Sequence, residues 1–262
     1  TSIMSYFSPT ENSYFAGQGF SDDFTLTPMN ADIIAMQRMY GLSTTTRNGD
    51  TTYGFNSTAG RDVYNANIMS NVSYTVFDTG GTDTLDYSGF FQNQKINLVS
   101  ETFSNVGPGM GNVMIARGTI IENAVGGSGS DTITGNAAAN RLVGNGGNDL
   151  LSGGDGDDFL TGGIGTDQLT GGVGNDTFID ARSSLSGDRI LDFTLGDKII
   201  FTDASLSSFT FSLSGTTLSF TGGSLTFRAA PSGPPIASAA SSGGVQLAIS
   251  APPQPRDVSH DF

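Results

Sequence analysis

The sequence predicts an all-β protein whose middle is a parallel β-roll set within a β-sandwich. Three observations point that way. Residues 126–179 are six nonapeptides joined without a break; each carries glycine and an acidic or amide residue at fixed phase; and the flanks alternate short apolar strands with turn residues. The units GGSGSDTIT, GNAAANRLV, GNGGNDLLS, GGDGDDFLT, GGIGTDQLT and GGVGNDTFI fit the pattern G-G-x-G-x-D-x-U-x, with U a large apolar residue.

The first position is glycine throughout: Gly126, Gly135, Gly144, Gly153, Gly162 and Gly171. The fourth is glycine except at Ala138. Glycine adopts φ > 0 without steric cost, so each unit is expected to open with a tight turn whose carbonyls face inward. The sixth position holds Asp131, Asn140, Asp149, Asp158, Asp167 and Asp176, and the eighth holds Ile133, Leu142, Leu151, Leu160, Leu169 and Phe178. Each unit therefore reads as turn then strand, and successive strands fall on opposite faces of a flattened coil. Two units close one coil, which stacks residues of alternate units.

Stacked parallel strands lie about 4.8 Å apart, so Asp131 with Asp149, Asp149 with Asp167 and Asp158 with Asp176 become near neighbours. Two such charges repel by roughly 1 kcal/mol even in water's dielectric. Calcium, a hard cation taking carboxylate and carbonyl oxygens together, suits such a site. The oxygen donors expected in the roll belong to Gly127, Gly129 and Asp131; Asn136, Ala138 and Asn140; Gly144, Gly146, Gly147 and Asp149; Gly153, Asp155, Gly156 and Asp158; Gly162, Ile164, Gly165 and Asp167; and Gly171, Val173, Gly174 and Asp176. The Asn140–Asp158 pair, lacking one carboxylate, should bind more weakly. A core of single aliphatic teeth is thin, so the segment is expected to need metal to fold.

The formal charge of −14 argues against nucleic acid or an anionic membrane as partner. Cysteine is absent, and calcium would serve as the staple of an exported protein in place of disulfides. No apolar run reaches membrane-spanning length. The first residues lack the layout of a signal peptide, so an export address is expected elsewhere.

Along the chain, NADIIAMQRMYG predicts a helix over Ala31–Tyr40 with Asn30 as N-cap, Gly41 as stop, and Ile33, Met36, Met39 and Tyr40 as its buried stripe. TTYGFN, SYTVFD, TLDYSGF and KINLVS read as strands before the repeats. DRILDF, DKIIFTD and the meander FTFSLSGTTLSFTGGSLTFR follow them. Residues 229–244 read as a loose loop, VQLAIS as a last strand and APPQPRDVSHDF as a tail.

The segment SIMSYF, the helix after it, and TTRNGDTTYGFNS, FDTGGTDTLDYSGF, QNQKINL, GNVMIARG and IIENAVGGSGSDTITGN together resemble the serralysins, secreted zinc metalloproteases of the metzincin clan. Matched residue by residue, the resemblance makes Met4 the Met-turn methionine and Tyr6 the zinc-associated tyrosine. It implies that residues 1–42 are the end of a catalytic domain, Met-turn plus last helix. Residues 43–262 would be the calcium-binding roll and sandwich with a C-terminal secretion region. Two more calcium sites are implied. One uses Arg47, Gly49, Thr51, Asp78, Gly80 and Asp83; the other uses Gly81, Asp83, Ile120 through its carbonyl, and Glu122.

The departure is at the zinc. The family's H-E-x-x-H-x-x-G-x-x-H is missing, and the single histidine, His260, sits near the end. The chain is thus expected to be the C-terminal part of a serralysin-like protease, not proteolytic alone, with zinc held only in the intact parent. The resemblance also implies an extracellular location, type I secretion machinery as a partner, and contact with the catalytic part of the same protease. DVSHDF ends after one Phe, so that signal is expected to be clipped or altered. A non-catalytic calcium-binding adhesin or a degenerate protease homologue is the alternative, since such rolls occur with many activities.

Overall fold

The computed structural model describes residues 30–41 and 43–250. Met4, Tyr6 and the rest of SIMSYF lie outside the described residues, as do His260 and the tail around it. The described chain is all-β apart from short helices, and its strands form three sheets.

The nine-stranded sheet runs in space β1 (Thr52–Gly54), β3 (Thr84–Asp86), β7 (Asn123–Val125), β9 (Arg141–Gly146), β11 (Phe159–Ile164), β13 (Thr177–Asp180), β15 (Lys198–Phe201), β20 (Val245–Ile249) and β19 (Pro235–Ala239). The eight-stranded sheet runs β16 (Phe211–Ser214), β17 (Thr217–Phe220), β18 (Gly223–Phe227), β14 (Arg189–Ile190), β12 (Gln168–Val173), β10 (Leu150–Asp155), β8 (Thr132–Thr134) and β4 (Lys95–Asn97). A small third sheet holds β2 (Tyr74–Val76), β6 (Val113–Ile115) and β5 (Phe103–Ser104).

Successive repeats alternate between the two large sheets, as the period demands. Leu150 pairs in parallel with Thr132 on one side and Gln168 on the other, and Phe159 with Arg141 and Thr177. The stacking interval is 18 residues through the repeats and stretches to 21 beyond them, where Asp188 stacks on Asp167. The three extra residues are taken up beside a single helical turn, Arg182–Leu185.

The eighth-position teeth form the core. Ile133, Leu142, Leu151, Leu160, Leu169 and Phe178 are each 0% exposed. Burying each such side chain contributes about 1.5–3 kcal/mol. The file continues without a gap through Leu85, Ile96 and Ala124 at one end and Ile190, Ile199, Leu225 and Leu247 at the other. Only the middle is one residue wide. Before it, Tyr53, Tyr64 and Tyr74 pack edge to face at 5.2 and 5.3 Å, and the Tyr74 and Tyr87 hydroxyls meet at 2.9 Å. After it, Phe201 and Phe220 lie 4.7 Å apart, and Phe193 stacks on Phe227 at 5.1 Å. Metal-free stability should therefore be lowest between β8 and β13.

Two expectations are corrected. The helix, α1 (Asn30–Tyr40), buries Ile33, but Met36, Met39 and Tyr40 are 54, 62 and 77% exposed. Polar contacts join it to the described body. The Asn30 side chain, expected as a cap, donates to Glu101 Oε1 at 3.2 Å and accepts from the Arg117 N–H at 3.1 Å, while Gln37 donates to the Arg117 carbonyl. Gly41 does stop the helix, at φ 82°. Within residues 229–244, read as loop, Pro235–Ala239 forms β19 in a hairpin with β20. Small and proline residues signalled a loop, yet an edge strand tolerates proline as its first residue.

Candidate metal centre

The sixth-position side chains are buried as two columns inside the turns, none more than 2% exposed. Along one column the Gln94 N–H donates to Asp131 Oδ1 (2.7 Å), Asp131 N–H to Asp149 Oδ1 (2.7 Å) and Asp149 N–H to Asp167 Oδ1 (2.8 Å). Along the other, Asn140 N–H donates to Asp158 Oδ1 (2.7 Å) and Asp158 N–H to Asp176 Oδ1 (3.0 Å). One oxygen of each carboxylate thus locks the stacking register.

The second oxygen is different. Oδ2 of Asp149, Asp158 and Asp167 is buried with no hydrogen-bond partner. A buried, unpaired carboxylate oxygen is strongly unfavourable unless something compensates it. Each faces the first glycine of its own unit. A Cβ on Gly144 would stand 2.1 Å from Asp149 Oδ2, and one on Gly153 would stand 2.0 Å from Asp158 Oδ2. The same Cβ on Gly153 would lie 2.5 Å from the Gly171 carbonyl oxygen of the next coil.

This revises the reason for the first glycine. It makes room for a carboxylate; φ > 0 belongs to the second and fourth positions, as at Gly154 (117°) and Gly156 (111°). Glycine-lined turns, stacked carbonyls and uncompensated buried oxygens suit a hard cation. Among the described residues no three carboxylate or imidazole side chains gather as a metal cluster, so carbonyl oxygens would have to complete any shell. That requirement fits calcium better than zinc. Gly127, Gly129, Asn136 and Ala138 lie on the lowest turns of the columns; Gly146, Gly147, Asp155, Ile164, Gly165, Val173 and Gly174 lie on the turns above.

The pre-repeat loops form a further cradle. Asp83 is fully buried; its Oδ1 accepts from the Thr51 N–H at 2.8 Å, its own N–H donates to Glu122 Oε2 at 2.7 Å, and its Oδ2 is unpartnered. Thr51 Oγ1 donates to the Gly49 carbonyl at 2.9 Å, and a Cβ on Gly81 would meet that carbonyl at 2.7 Å. Gly49, Thr51, Gly81, Asp83 and Glu122 are therefore gathered. Asp78 is already hydrogen-bonded, accepting from Tyr53 Oη (2.7 Å) and from the Thr79 and Gly80 N–H groups. Arg47 sends its guanidinium to Tyr53 Oη and the Phe77 carbonyl, and the Ile120 side chain is exposed.

Two column members were missed from sequence. Asp188 and Asp197, 1 and 2% exposed, extend the columns by accepting from the Asp167 N–H (2.8 Å) and the Asp176 N–H (3.0 Å), and Asp188 Oδ2 is again unpartnered. Their signal was D-x-U alone, in DRI and DKI, without the glycines.

Burial, and then the charge of the stacked neighbours, pushes the carboxyls of Asp149, Asp158 and Asp188 up to about 7 in the metal-free chain. The folded metal-free state then holds more protons than the unfolded chain between about pH 4 and 7, so its stability falls as pH rises through that window. A cation competes with those protons. The unfolded chain's aspartates, however, are already ionised above about pH 5. Folding from it into the calcium-bound form therefore displaces no proton, and the calcium needed for half-maximal folding should not rise as pH drops from 7 to 6. Calcium titrations monitored by circular dichroism at the two pH values check this.

A parallel roll with paired columns of buried carboxylates defines the class: a repeat-built domain with the donor chemistry of a calcium site. Residues 42–230 match the family model described as Peptidase M10 serralysin C terminal, and the chain belongs to that family. It is 49% identical over 133 residues to metallopeptidase AprA of Pseudomonas marginalis (50% of this chain, 28% of the relative). It is 50% identical over 133 residues to serralysin B of Dickeya chrysanthemi (50% and 27%), and 49% identical over 132 residues to a serralysin of Photorhabdus luminescens (50% and 26%). The matched stretch is little more than a quarter of these relatives' length. Among the described residues no helix is long and apolar enough to cross a membrane.

Proposed function

We infer that this chain is the calcium-binding C-terminal portion of a serralysin-like zinc endopeptidase, folding when it meets extracellular calcium. The observation that carries the reading is the file of buried, unpartnered Oδ2 atoms on Asp149, Asp158, Asp167 and Asp188. Bound calcium would cancel the repulsion between stacked carboxylates and join the carbonyls of facing turns. Asp131, Asp149, Asp158, Asp167 and Asp176 would supply the charge, Oδ1 fixing register, while the unpartnered Oδ2 of Asp149, Asp158 and Asp167 faces the ion. Asp83 and Glu122 would serve the second cradle with Gly49, Thr51 and Gly81.

At low calcium the columns repel and the roll stays open, a state suited to a type I export channel. Extracellular modules bind calcium at roughly 0.1–1 mM, so the exterior fills the sites and drives folding. On this reading residues 1–42 belong to the catalytic domain and 43–262 to the calcium-binding and secretion region. Zinc is held by the parent, and secretion machinery and the catalytic part are the partners.

Raising calcium from chelator to about 1 mM should produce a large gain of β signal in far-UV circular dichroism. Identical spectra in both conditions would reject the reading. The sequence carries no H-E-x-x-H, so the purified chain should not cleave casein with zinc present. Chelator-sensitive cleavage would show that it assembles a zinc site by another route.

A further inference from the structure

The second repeat, GNAAANRLV, departs from its neighbours: it carries Asn136 at its second position, Ala138 at its fourth and Asn140 at its sixth. Beneath it, one coil down, lies Glu122. The strand geometry of this step is that of the aspartate steps, with Arg141 N–H donating to the Glu122 carbonyl at 3.1 Å as Leu150 N–H donates to the Asp131 carbonyl at 2.9 Å. The side chains are wired in the opposite sense. Where Asp149 accepts from the rung below, Asn140 Nδ2 donates to the Glu122 carbonyl (2.9 Å) and to Asn136 Oδ1 (3.2 Å). Asn136 Nδ2 donates to the Ile121 carbonyl (2.8 Å) and the Leu98 carbonyl (3.3 Å).

A carbonyl only accepts, so these contacts fix which end of each amide is nitrogen. Asn140 Oδ1 in turn accepts from the Asn136 N–H at 2.7 Å. Of the neighbouring carboxylates, Asp158 in the coil above accepts from the Asn140 N–H at 2.7 Å, and Glu122 in the coil below is engaged by the Asp83 N–H. The step thus collects main-chain oxygens on amide N–H groups without supplying a charge of its own, while Asn140 Oδ1 takes the place beside the first glycine, Gly135, that Oδ2 takes in the aspartate units.

We propose that Asn136 and Asn140 replace a calcium ion: a metal-free clamp that holds the first coil of the roll to the preceding sandwich before calcium arrives. Leu98 follows a strand of the eight-stranded sheet and Ile121 precedes one of the nine-stranded sheet, so Asn136 bridges both. The clamp gives the roll a preformed base on which the calcium-dependent coils stack, and it rests on the calcium reading of those coils.

Hydrogen exchange of the whole chain, in chelator and in calcium, tests it. In chelator the Arg141 N–H, which closes the amide step, should exchange at least about tenfold more slowly than the Gln168 N–H, which closes an Asp149 step. In calcium both should be protected. Asn140→Asp should lose the Arg141 protection in chelator and regain it in calcium, because a carboxylate restores the need for a cation. Asn136→Ala should lower it in both conditions. Equal exchange of Arg141 and Gln168 in chelator, with both protected in calcium, would overturn the clamp and leave the calcium reading standing. So would an Asn140→Asp chain that keeps the Arg141 protection without calcium. If Gln168 ignores calcium altogether, the calcium reading fails first and takes the clamp with it.

Discussion

Replacing Asp149 or Asp158 with alanine should raise the calcium concentration needed for folding by at least tenfold, about 1.4 kcal/mol, while leaving the chelated chain no less structured. The two halves of that expectation have one origin. In the calcium-loaded protein each carboxylate anchors the N–H below it through Oδ1, a charge-assisted bond contributing about 1.5–3 kcal/mol, and offers Oδ2 to the ion. In the metal-free protein the same group is a buried charge stacked on others, and its removal relieves the repulsion. Asp149 stands between Asp131 and Asp167 and takes part in two steps, so its loss should shift the midpoint most. Asn140→Ala removes no formal charge and should shift it least. Calcium titrations of the three variants by circular dichroism decide the ranking; equal midpoints would show that the columns are wrongly phased.

Gly144→Ala is expected to cost about 3 kcal/mol or more, as overpacking against a rigid backbone does, lowering the melting temperature at saturating calcium by about 6–12 °C. Its Cβ would be driven to 2.1 Å from Asp149 Oδ2 and 2.6 Å from the Gly162 carbonyl oxygen, a backbone atom of the stacked turn. Two residues on, Gly146→Ala should be close to neutral, within about 0.5 kcal/mol. There φ is not positive, and the nearest atom to a new Cβ is 3.7 Å away. Calorimetric scans of the two variants make the comparison. A tolerated Gly144→Ala would mean that the carboxylate does not occupy the turn.

The roll was legible from sequence because phase is a strong constraint: aspartate at the sixth position and an aliphatic tooth at the eighth admit one stacking. The role of the first glycine was misread because a sequence shows that a side chain is missing, not what occupies the space; here Asp149 and Asp158 do. Asp188 and Asp197 escaped because the glycine half of the motif ends at Gly174 while the D-x-U half runs on. Unit two announced itself as an exception, yet its amide wiring depends on Leu98, Ile121 and Glu122, which only the fold brings near. The α1 stripe followed helical periodicity, but of its four members Ile33 alone is buried, while Asn30 and Gln37 reach Glu101 and Arg117 through polar contacts. β19 was hidden by the small-residue composition that edge strands tolerate.

Because consecutive units alternate between the sheets, the fold has a parity. β14 joins the sheet that carries the meander β16–β18, and β15 joins the sheet that carries the β19–β20 hairpin. Inserting a single nonapeptide upstream would transpose everything after it, delivering the meander to the hairpin's side. Inserting two would leave every downstream element where it was. The natural quantum of growth or deletion in this architecture is therefore a pair of units, and homologues with rolls of different length should differ by whole coils.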